Sequence, residues 1–373
     1  MKPRVLLQVR SSSNRLPHKC FLLIKNIPSI VYLYKRIKSK RYNTTILTSN
    51  DKSDDFLCYI LKKHKIDFYR GDLQNVKKRF TTFLKKEKSS IIVRLTGDNL
   101  FIDSNLISHL INHYQLRKNK YMYLNNKISN LPKGISVEIF DKKILLNIKK
   151  DSDHVKEHVT SGFNKFNNEF KLKNNSLKKI YNYRCTLDFI EDYLFSKKKL
   201  NSLPINTKWN KLCENLKKYK IKYNKFYFKV LSTNKLSKIY LNQILKLKNS
   251  YWKYSLKSQK DFFKNNYKPN DRHILLFNKN ILIGYNCLKK INLNNKLLTL
   301  LDSFIVRDNH RGRGISHMLI SKSMNEIMNM KKQAYLIANK NSLNLYKNFG
   351  WTVSKYEKIK KIKKNTYLMK FKF

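Results

Sequence analysis

Two stretches of this chain combine arginine with small residues in the way that phosphate groups demand. The first, Gln8-Val9-Arg10-Ser11-Ser12-Ser13-Asn14-Arg15-Leu16-Pro17-His18-Lys19, leaves the strand-like run of residues 4–9. A strand that opens into a small-residue loop offers backbone N–H groups and hydroxyls to phosphate oxygens. Arg10, Arg15 and Lys19 add charge suited to a triphosphate, and arginine can fork onto two oxygens at once. No G-K-[ST] follows, so the loop is not of the Walker A type. The second stretch is Arg311-Gly312-Arg313-Gly314-Ile315-Ser316, between a strand-like run and an amphipathic helical pattern. Its two glycines bracket Arg313 and would present consecutive N–H groups to a pyrophosphate at the positive end of a helix dipole.

Glycine usage singles out the same places. The chain holds 8 glycines in 373 residues, against the roughly 26 that average usage would supply. Gly97 sits in RLTGD, Gly134 in PKGISVE, Gly71 in YRGD, Gly284 in a hairpin-like ILIGY and Gly350 in YKNFGW. A composition that discards glycine should keep it where the backbone needs φ > 0 or close approach.

The elements that must position these residues fall into two series. The pattern changes from helical to strand-like near residue 224, which divides the chain into domains 1–223 and 226–373. In the first, Asp98 closes the predicted strand IIVRLTGD, and in an open α/β sheet the ligand crevice lies outside the strand carboxyl ends. Asp103, followed by Ser-Asn-Leu-Ile, reads as the N-cap of a helix over 104–114. His109 and His113 share one face of that helix, and without an H-E-x-x-H glutamate they read as exposed surface histidines. In the second domain the predicted order is a strand over 226–231 and a helix over 234–249. A strand–turn–strand around Asn278-Lys279-Asn280 follows, then the strand LLTLLDSFIV, a helix, the strand AYLIA, a short helix and two closing strands.

The formal charge of +56 comes from 80 Lys+Arg against 24 Asp+Glu. Alone it points to nucleic acid. Lys, Asn, Ile, Tyr and Phe are enriched together while Gly, Pro and Ala are thin, which is the signature of an A+T-rich coding bias. Spread along the chain, the charge reads as drift on solvated faces that still draws in anionic substrates, and no nucleic-acid partner is expected. Five widely spaced cysteines without a C-x-x-C pair fit reduced thiols in a cytoplasm. No run reaches the ~18 apolar residues of a membrane span.

Seven segments in order resemble the sugar cytidylyltransferases, the CMP-ulosonate synthetases and spore-coat-polysaccharide F-type relatives. They are the loop Q-x-R-x-x-S-x-R-L-P-x-K, TTILTSNDKSDD, YRGDLQNVKKRF, IIVRLTGDNLFIDSNLI, PKGISVEIF, KEHVTSGF and RCTLDFIEDY, across about the first 200 residues. The resemblance implies a Rossmann-like doubly wound α/β nucleotidyltransferase domain that transfers a cytidylyl group from CTP to a sugar hydroxyl. It implies Lys19 and Arg10 as catalytic residues, and Arg10, Ser12, Ser13, Arg15, Lys19, Gly97 and Asp98 around the nucleotide. Mg²⁺ would sit on Asp98 and Asp188, with Glu138, Glu157 and His158 toward the sugar. Relatives of this domain are often dimeric, so a homodimer is possible. The family carries glycine where Ser12 and His18 stand, and its small and acidic positions are Asn99, Asn75 and Ser136 here.

The second half resembles the GNAT N-acyltransferases in R-x-x-G-x-[GA], met by RGRGIS, and in the later ANKNSLNLYKNFGW. That implies an α+β acyltransferase domain using acetyl-CoA. Phe304 and Val306 would face the pantetheine arm. Arg311, Gly312, Arg313, Gly314, Ile315 and Ser316 would hold the pyrophosphate, Asn339 would fix the neighbouring turn, and Tyr346 would protonate the departing thiolate from a near-normal pKa. Asp302 shares a strand face with Phe304 and Val306 and is the candidate base. Together the halves suggest a cytoplasmic bifunctional enzyme that N-acetylates an amino sugar and couples an acidic or amino sugar of the nonulosonic-acid type to CMP for surface glycans. The alternatives are a front domain that only binds a nucleotide-sugar and, further off, a basic nucleic-acid-binding protein.

Overall fold

The computed structural model describes residues 1–117, 121–124, 126–148, 152–166, 169–172, 181–222, 224–293, 296–354 and 365–372. Residue 223, at the expected boundary, lies outside them. The chain divides into two compact units, Met1–Ser12 with Lys19–Lys222 and Ser13–His18 with Tyr223–Phe373.

The first unit is built on strands β1 (Arg4–Gln8), β4 (Asn43–Ser49), β5 (Phe68–Gly71), β6 (Ile91–Thr96), β7 (Tyr121–Leu124), β8 (Glu138–Asp141) and β9 (Glu169–Phe170), beside a two-stranded ribbon of β2 (Leu23–Ile24) and β3 (Ile27–Pro28). The main sheet runs β5-β4-β1-β6-β8-β7-β9. Its first four strands are parallel, β8 is antiparallel to β6 and β7, and β9 is parallel to β7. Strands covered on both faces carry near-continuous apolar runs, as Val5–Leu7 and Ile46–Leu47 do. Helix Val76–Lys86 lays Val76, Phe80 and Leu84, spaced by four, on Leu6, Leu47 and Ile92 of three neighbouring strands. The chain leaves β1 for β4 and β5, then returns to β1's other side as β6. That reversal opens a crevice at the carboxyl ends of β1 and β6. Helix Ser104–Leu116 starts where expected, with the Asp103 carboxylate accepting from Leu106 N at 2.9 Å. His109 is exposed, but His113 is half-buried and packs on Phe170 with ring centroids 4.3 Å apart. That apolar contact corrects its reading as a surface residue.

The second unit contains β10 (Phe226–Ser232), β11 (Arg272–Asn278), β12 (Ile281–Leu293), β13 (Lys296–Val306), β14 (Ala334–Asn339), β15 (Thr352–Val353) and β16 (Thr366–Phe371). Its sheet runs β10-β11-β12-β13-β14-β16-β15. β10 to β13 form an antiparallel meander. β13 and β14 are parallel and paired at just two positions, Thr299↔Ala334 and Leu300↔Tyr335. Beyond Leu300, β13 loses β14 and continues toward Val306 paired with β12 alone. An extra residue in β13 accompanies the parting: Cys287 faces Asp302 while Tyr285 faces Ile305, and Ser303 within the bulge has φ 56°. A bulge bends its strand and increases the local twist. Helices Lys238–Trp252 and Leu256–Asn266 cover one face through Ile244, Leu247 and Phe263 against Leu275, Phe277, Tyr285 and Ile305. The first helix starts at the Ser237 cap and not at residue 234, because Thr233–Lys235 form a 3-10 turn.

The β11–β12 hairpin turns through Lys279 at φ 54°. A side chain in the left-handed region costs roughly 1–2 kcal/mol relative to glycine, less the backbone entropy that glycine loses on folding. Lys279→Gly is therefore expected to stabilise the protein by about 0.5–1 kcal/mol in urea unfolding. A destabilised variant would show that the turn is not strained.

Candidate active sites

In the first unit the residues after β1 are anchored by a carboxylate absent from the sequence reading. Asp54 is fully buried and accepts from Ser11 N (2.8 Å), Ser11 Oγ (2.6 Å), Thr48 Oγ1 (2.9 Å) and Ser49 N (3.1 Å). Its sequence signal is the convergence of Ser11, Thr48 and Ser49, hydroxyls that need an acceptor once buried. The anchor leaves Ser12 exposed and Arg10 half-exposed, with Arg10 pairing to Glu157 at 3.7 Å. Ser13 and Arg15 lie in the segment that groups with the second unit. His18, where the family carries glycine, keeps glycine's backbone at φ 58°.

Lys19 follows directly, and its ammonium donates to Asp98 Oδ2 at 2.9 Å and to Asp188 Oδ1 at 3.3 Å. Three segments distant in sequence thus meet at one charge. Asp98 sits two residues beyond β6, its other oxygen accepting from Thr96 Oγ1 at 2.6 Å. Burial pushes the Asp98 carboxyl up, but Lys19 and the Thr96 hydroxyl outweigh it and hold the group below the usual range. Gly97 N donates to Gln8 O at 2.9 Å, and a Cβ on Gly97 would lie 3.1 Å from Val9 Cβ. The two strand ends can approach this closely because no side chain intervenes.

Asp188 was expected at a strand end. Residues 184–188 instead form an irregular segment with one bridge, Lys133↔Arg184. It rests on Gly134, which has φ 113° and whose Cβ would meet Thr186 N at 2.6 Å. Asp192, fully buried at the start of helix Ile190–Asn201, accepts from Asp188 N and Phe189 N, each at 2.8 Å, and from Tyr219 OH at 2.7 Å. Arg184 bridges Asp192 (3.2 Å) and Asp188 (3.4 Å). Arg184 and Asp192 stood in the quoted RCTLDFIEDY run without a role, whereas Tyr219 carried no signal. Glu138 is paired with Arg94 and accepts from Thr160 Oγ1 at 2.8 Å. Glu157 and His158 are exposed, the latter with its ring 4.8 Å from that of His154. Among the described residues no three His, Cys, Asp or Glu side chains gather as a metal cluster.

In the second unit the gap between β13 and β14 forms a cleft of about 600 Å³. Phe304, Val306, Arg311, Gly312, Ser316, Asn339 and Tyr346 all line it. Gly312 and Gly314 have φ 73° and 83°, and Gly314 is the N-cap of helix Ile315–Asn329. A helix leaves its first N–H groups without intrahelical partners, and Ile315 and Ser316 stand at that end. Arg313, Gly314 and Ile315 do not line the cleft themselves. Val306 O, expected at the pantetheine arm, accepts from Arg311 Nε at 3.1 Å. Asn339 caps the next turn, its Oδ1 accepting from Ser342 N at 3.0 Å.

Tyr346 is buried between Phe304 and Trp351, with ring centroids 5.9 and 6.3 Å away. The expectation of a near-normal pKa is corrected here: burial, with Tyr251 adding to it, raises the phenol well above its usual value. The group therefore stays protonated at neutral pH. Asp302 Oδ2 accepts from Tyr267 OH at 3.2 Å and lies 3.9 Å from Lys289 Nζ.

The cytidylyltransferase family signature matches residues 4–243. The chain belongs to the cytidylyltransferase family. The acetyltransferase (GNAT) family signature matches residues 241–351, so the protein is a cytidylyltransferase fused to a GNAT acetyltransferase, a transferase in both halves. The cytidylyltransferase match runs past Lys222 into elements that pack with the second unit. The spore coat polysaccharide biosynthesis protein SpsF of Bacillus subtilis (strain 168) is 28% identical over 200 residues, spanning 50% of this chain and 82% of that protein. An uncharacterized protein of Methanocaldococcus jannaschii is 30% identical over 200 residues, spanning 52% of this chain and 81% of its own. The solved structure of a cytidylyltransferase from Leptospira borgpetersenii serovar Hardjo-bovis (strain JB197) is 26% identical, with a TM-score of 0.52 over 59% of this chain and 100% of that one. Among the described residues no helix is long and apolar enough to cross a membrane.

Removing the Lys19 charge leaves Asp98 without its cation and Asp188 facing Arg184 at 3.4 Å, and breaking a buried pair typically costs about 3–5 kcal/mol. We expect Lys19→Met to cost about 2–4 kcal/mol at pH 7, the lower figure allowing for the partial exposure of Asp98. In the wild type the depressed Asp98 pKa contributes stability above the unfolded-state value, lost as pH falls through the folded one. In the variant the Lys19 attraction is gone, burial is opposed only by the Thr96 hydroxyl and a backbone hydrogen bond, and the Asp98 pKa rises relative to the wild type. The stability difference measured by denaturant unfolding should therefore shrink from pH 7 to pH 4, and a pH-independent difference would contradict this.

Proposed function

We propose that the first unit transfers a cytidylyl group from CTP to a sugar hydroxyl, and that the second acetylates an amino sugar from acetyl-CoA. The observation that carries the first half is the meeting of Lys19, Asp98 and Asp188 at the carboxyl ends of β1 and β6. The sugar oxygen attacks the α-phosphorus, the bond to the β-phosphate oxygen breaks, and pyrophosphate leaves. Little covalent work falls to the protein, so positioning and charge dominate. Arg10 and Lys19 would bind phosphate oxygens, with Ser12 and the Gly97 backbone beside them.

The residues fit Mg²⁺: Asp98 and Asp188 supply hard oxygen donors, and they already converge on one cationic group. Bound there, the ion would neutralise charge on the phosphates. Glu138, Glu157 and His158 are the groups proposed to face the sugar, in an enzyme of the cytoplasm that serves surface-glycan synthesis.

In the second half the amine attacks the thioester carbonyl carbon, the C–S bond breaks, and coenzyme A leaves as its thiolate. Asp302 takes the ammonium proton. Tyr346, protonated at neutral pH as any unperturbed phenol is, donates to the sulfur. A positioned proton donor contributes typically 10²–10⁴-fold. Tyr346→Phe is expected to lower kcat for thiol release by about 10²-fold with coenzyme A affinity unchanged. An unaltered kcat would remove Tyr346 from the reaction.

For the first half, the test is pyrophosphate release from CTP with a panel of sugar acids. Release that is lost in Asp98→Asn and Asp188→Asn is the expected result. Wild-type protein that binds CTP and releases none with any acceptor would leave the front unit as a nucleotide-sugar-binding module.

A further inference from the structure

Beside the acetyltransferase cleft lies a second hollow of about 430 Å³, and the two share Trp252, Asp302 and Ser303. The hollow adds Lys248, Tyr254 and Phe262 to its walls. Lys248 is 2% exposed. Its ammonium donates to Tyr267 OH at 3.2 Å and lies 4.5, 5.1 and 5.7 Å from the ring centroids of Phe262, Tyr267 and Trp252. Among the described residues no carboxylate forms an ion pair with it. Burying a cation without an anion is costly, and aromatic faces offset only part of that cost. An ammonium has three donors, so two remain for whatever enters the hollow.

The same Tyr267 hydroxyl sits 3.2 Å from Asp302 Oδ2 and 2.9 Å from Ser303 Oγ on the β13 bulge. One phenol oxygen thus stands between a cation and a carboxylate, each one hydrogen bond away. The complement of that pair is a small ring carrying an amine and an anion as near neighbours. Tyr254 and Phe262, 60% and 44% exposed, offer ring faces to the apolar side of such a molecule. Asp302 then lies where the amine must approach the thioester, because it lines both hollows. Burial lowers the Lys248 pKa, partly countered by Asp302, and an arriving anion would favour the charged form further.

We propose that this hollow is the acceptor site and that it selects an amino sugar bearing a carboxylate on the same ring, with the carboxylate on Lys248 and the amine at Asp302. The inference rests on the acetyltransferase reading above and names its substrate class.

The test uses the full chain with acetyl-CoA, comparing 4-amino-4-deoxyglucose with 4-amino-4-deoxyglucuronic acid, whose amine and carboxylate stand on adjacent ring carbons, as acceptors by thiol release. We expect kcat/KM for the acid to exceed that for the neutral sugar by about ten-fold or more, as a charge-assisted hydrogen bond provides. Lys248→Met should bring that ratio near one, chiefly through KM for the acid. Equal use of both sugars by the wild type would overturn the proposal, and this comparison stands even if the variant fails to fold. A variant that lowers kcat equally for both would overturn it too, by making Lys248 part of the chemistry and not of selection. Turnover of neither amine with coenzyme A binding intact would overturn the substrate class alone. Loss of coenzyme A binding would overturn the acetyltransferase reading beneath it.

Discussion

A single ammonium group ties together the segments on which the first catalytic unit depends. Lys19 reaches Asp98 and Asp188, 79 and 169 residues away in the chain. Neither carboxylate could sit so close to the other in a low-dielectric crevice without a cation between them. Much of the surrounding structure serves that convergence. His18, just before Lys19, holds a left-handed backbone. Gly97 and Gly134 let strand ends and the 184–188 segment come within backbone contact. The Arg184–Asp192 pair then fixes the far carboxylate from behind. The same geometry is compatible with the proposed role of the cluster in cytidylyl transfer. Two carboxylates that cradle an ammonium in the absence of ligand present the donor set that a divalent cation and a triphosphate need together.

The second unit depends on an omission and not on a contact. β13 and β14 pair at two positions and then part, and a sheet that stops pairing must satisfy its exposed backbone elsewhere. The cleft at that gap meets the start of helix Ile315–Asn329, so unpaired strand edge and unpaired helix N–H groups face one ligand-sized space. The bulge at Ser303 is the local device. It places Asp302 and Ser303 on the wall shared by the two hollows.

Much of this was legible in the chain because the motifs occur in order and each demands a structural context. Strands preceding the Arg10 loop, Asp98 and the RGRG turn all formed, as did the Asp103 cap and the hairpin at residue 279. The glycine argument held at Gly134, Gly312, Gly314 and Gly350, which have positive φ, and at Gly71 and Gly97, where a Cβ would crowd a neighbour, but its converse failed. Eleven described non-glycine residues adopt positive φ, among them Lys25, Lys65, Lys253, Lys279 and Lys331, and Asn26, Asn130, Asn215 and Asn365. Lysine and asparagine thus occupy left-handed turns that glycine would fill without strain, so the scarcity of glycine does not mark every such turn. Ser303 and His18 were hidden for the same reason. Helix Leu256–Asn266 was invisible because its sequence buries only Gln259 and Phe263, too few to make a stripe. Tyr219 was out of reach because its partner Asp192 lies 27 residues away in sequence.

The central claim is that one chain holds two competent ligand sites, and thermal unfolding of the intact protein tests it most directly. Mg-CTP and acetyl-CoA should be added separately and then together. A ligand at 100 times its Kd stabilises the state that binds it by roughly 2.7 kcal/mol. The account predicts that each ligand alone raises the unfolding temperature and that the two together protect both units. A protein that responds to neither ligand, or to acetyl-CoA alone, would contradict it.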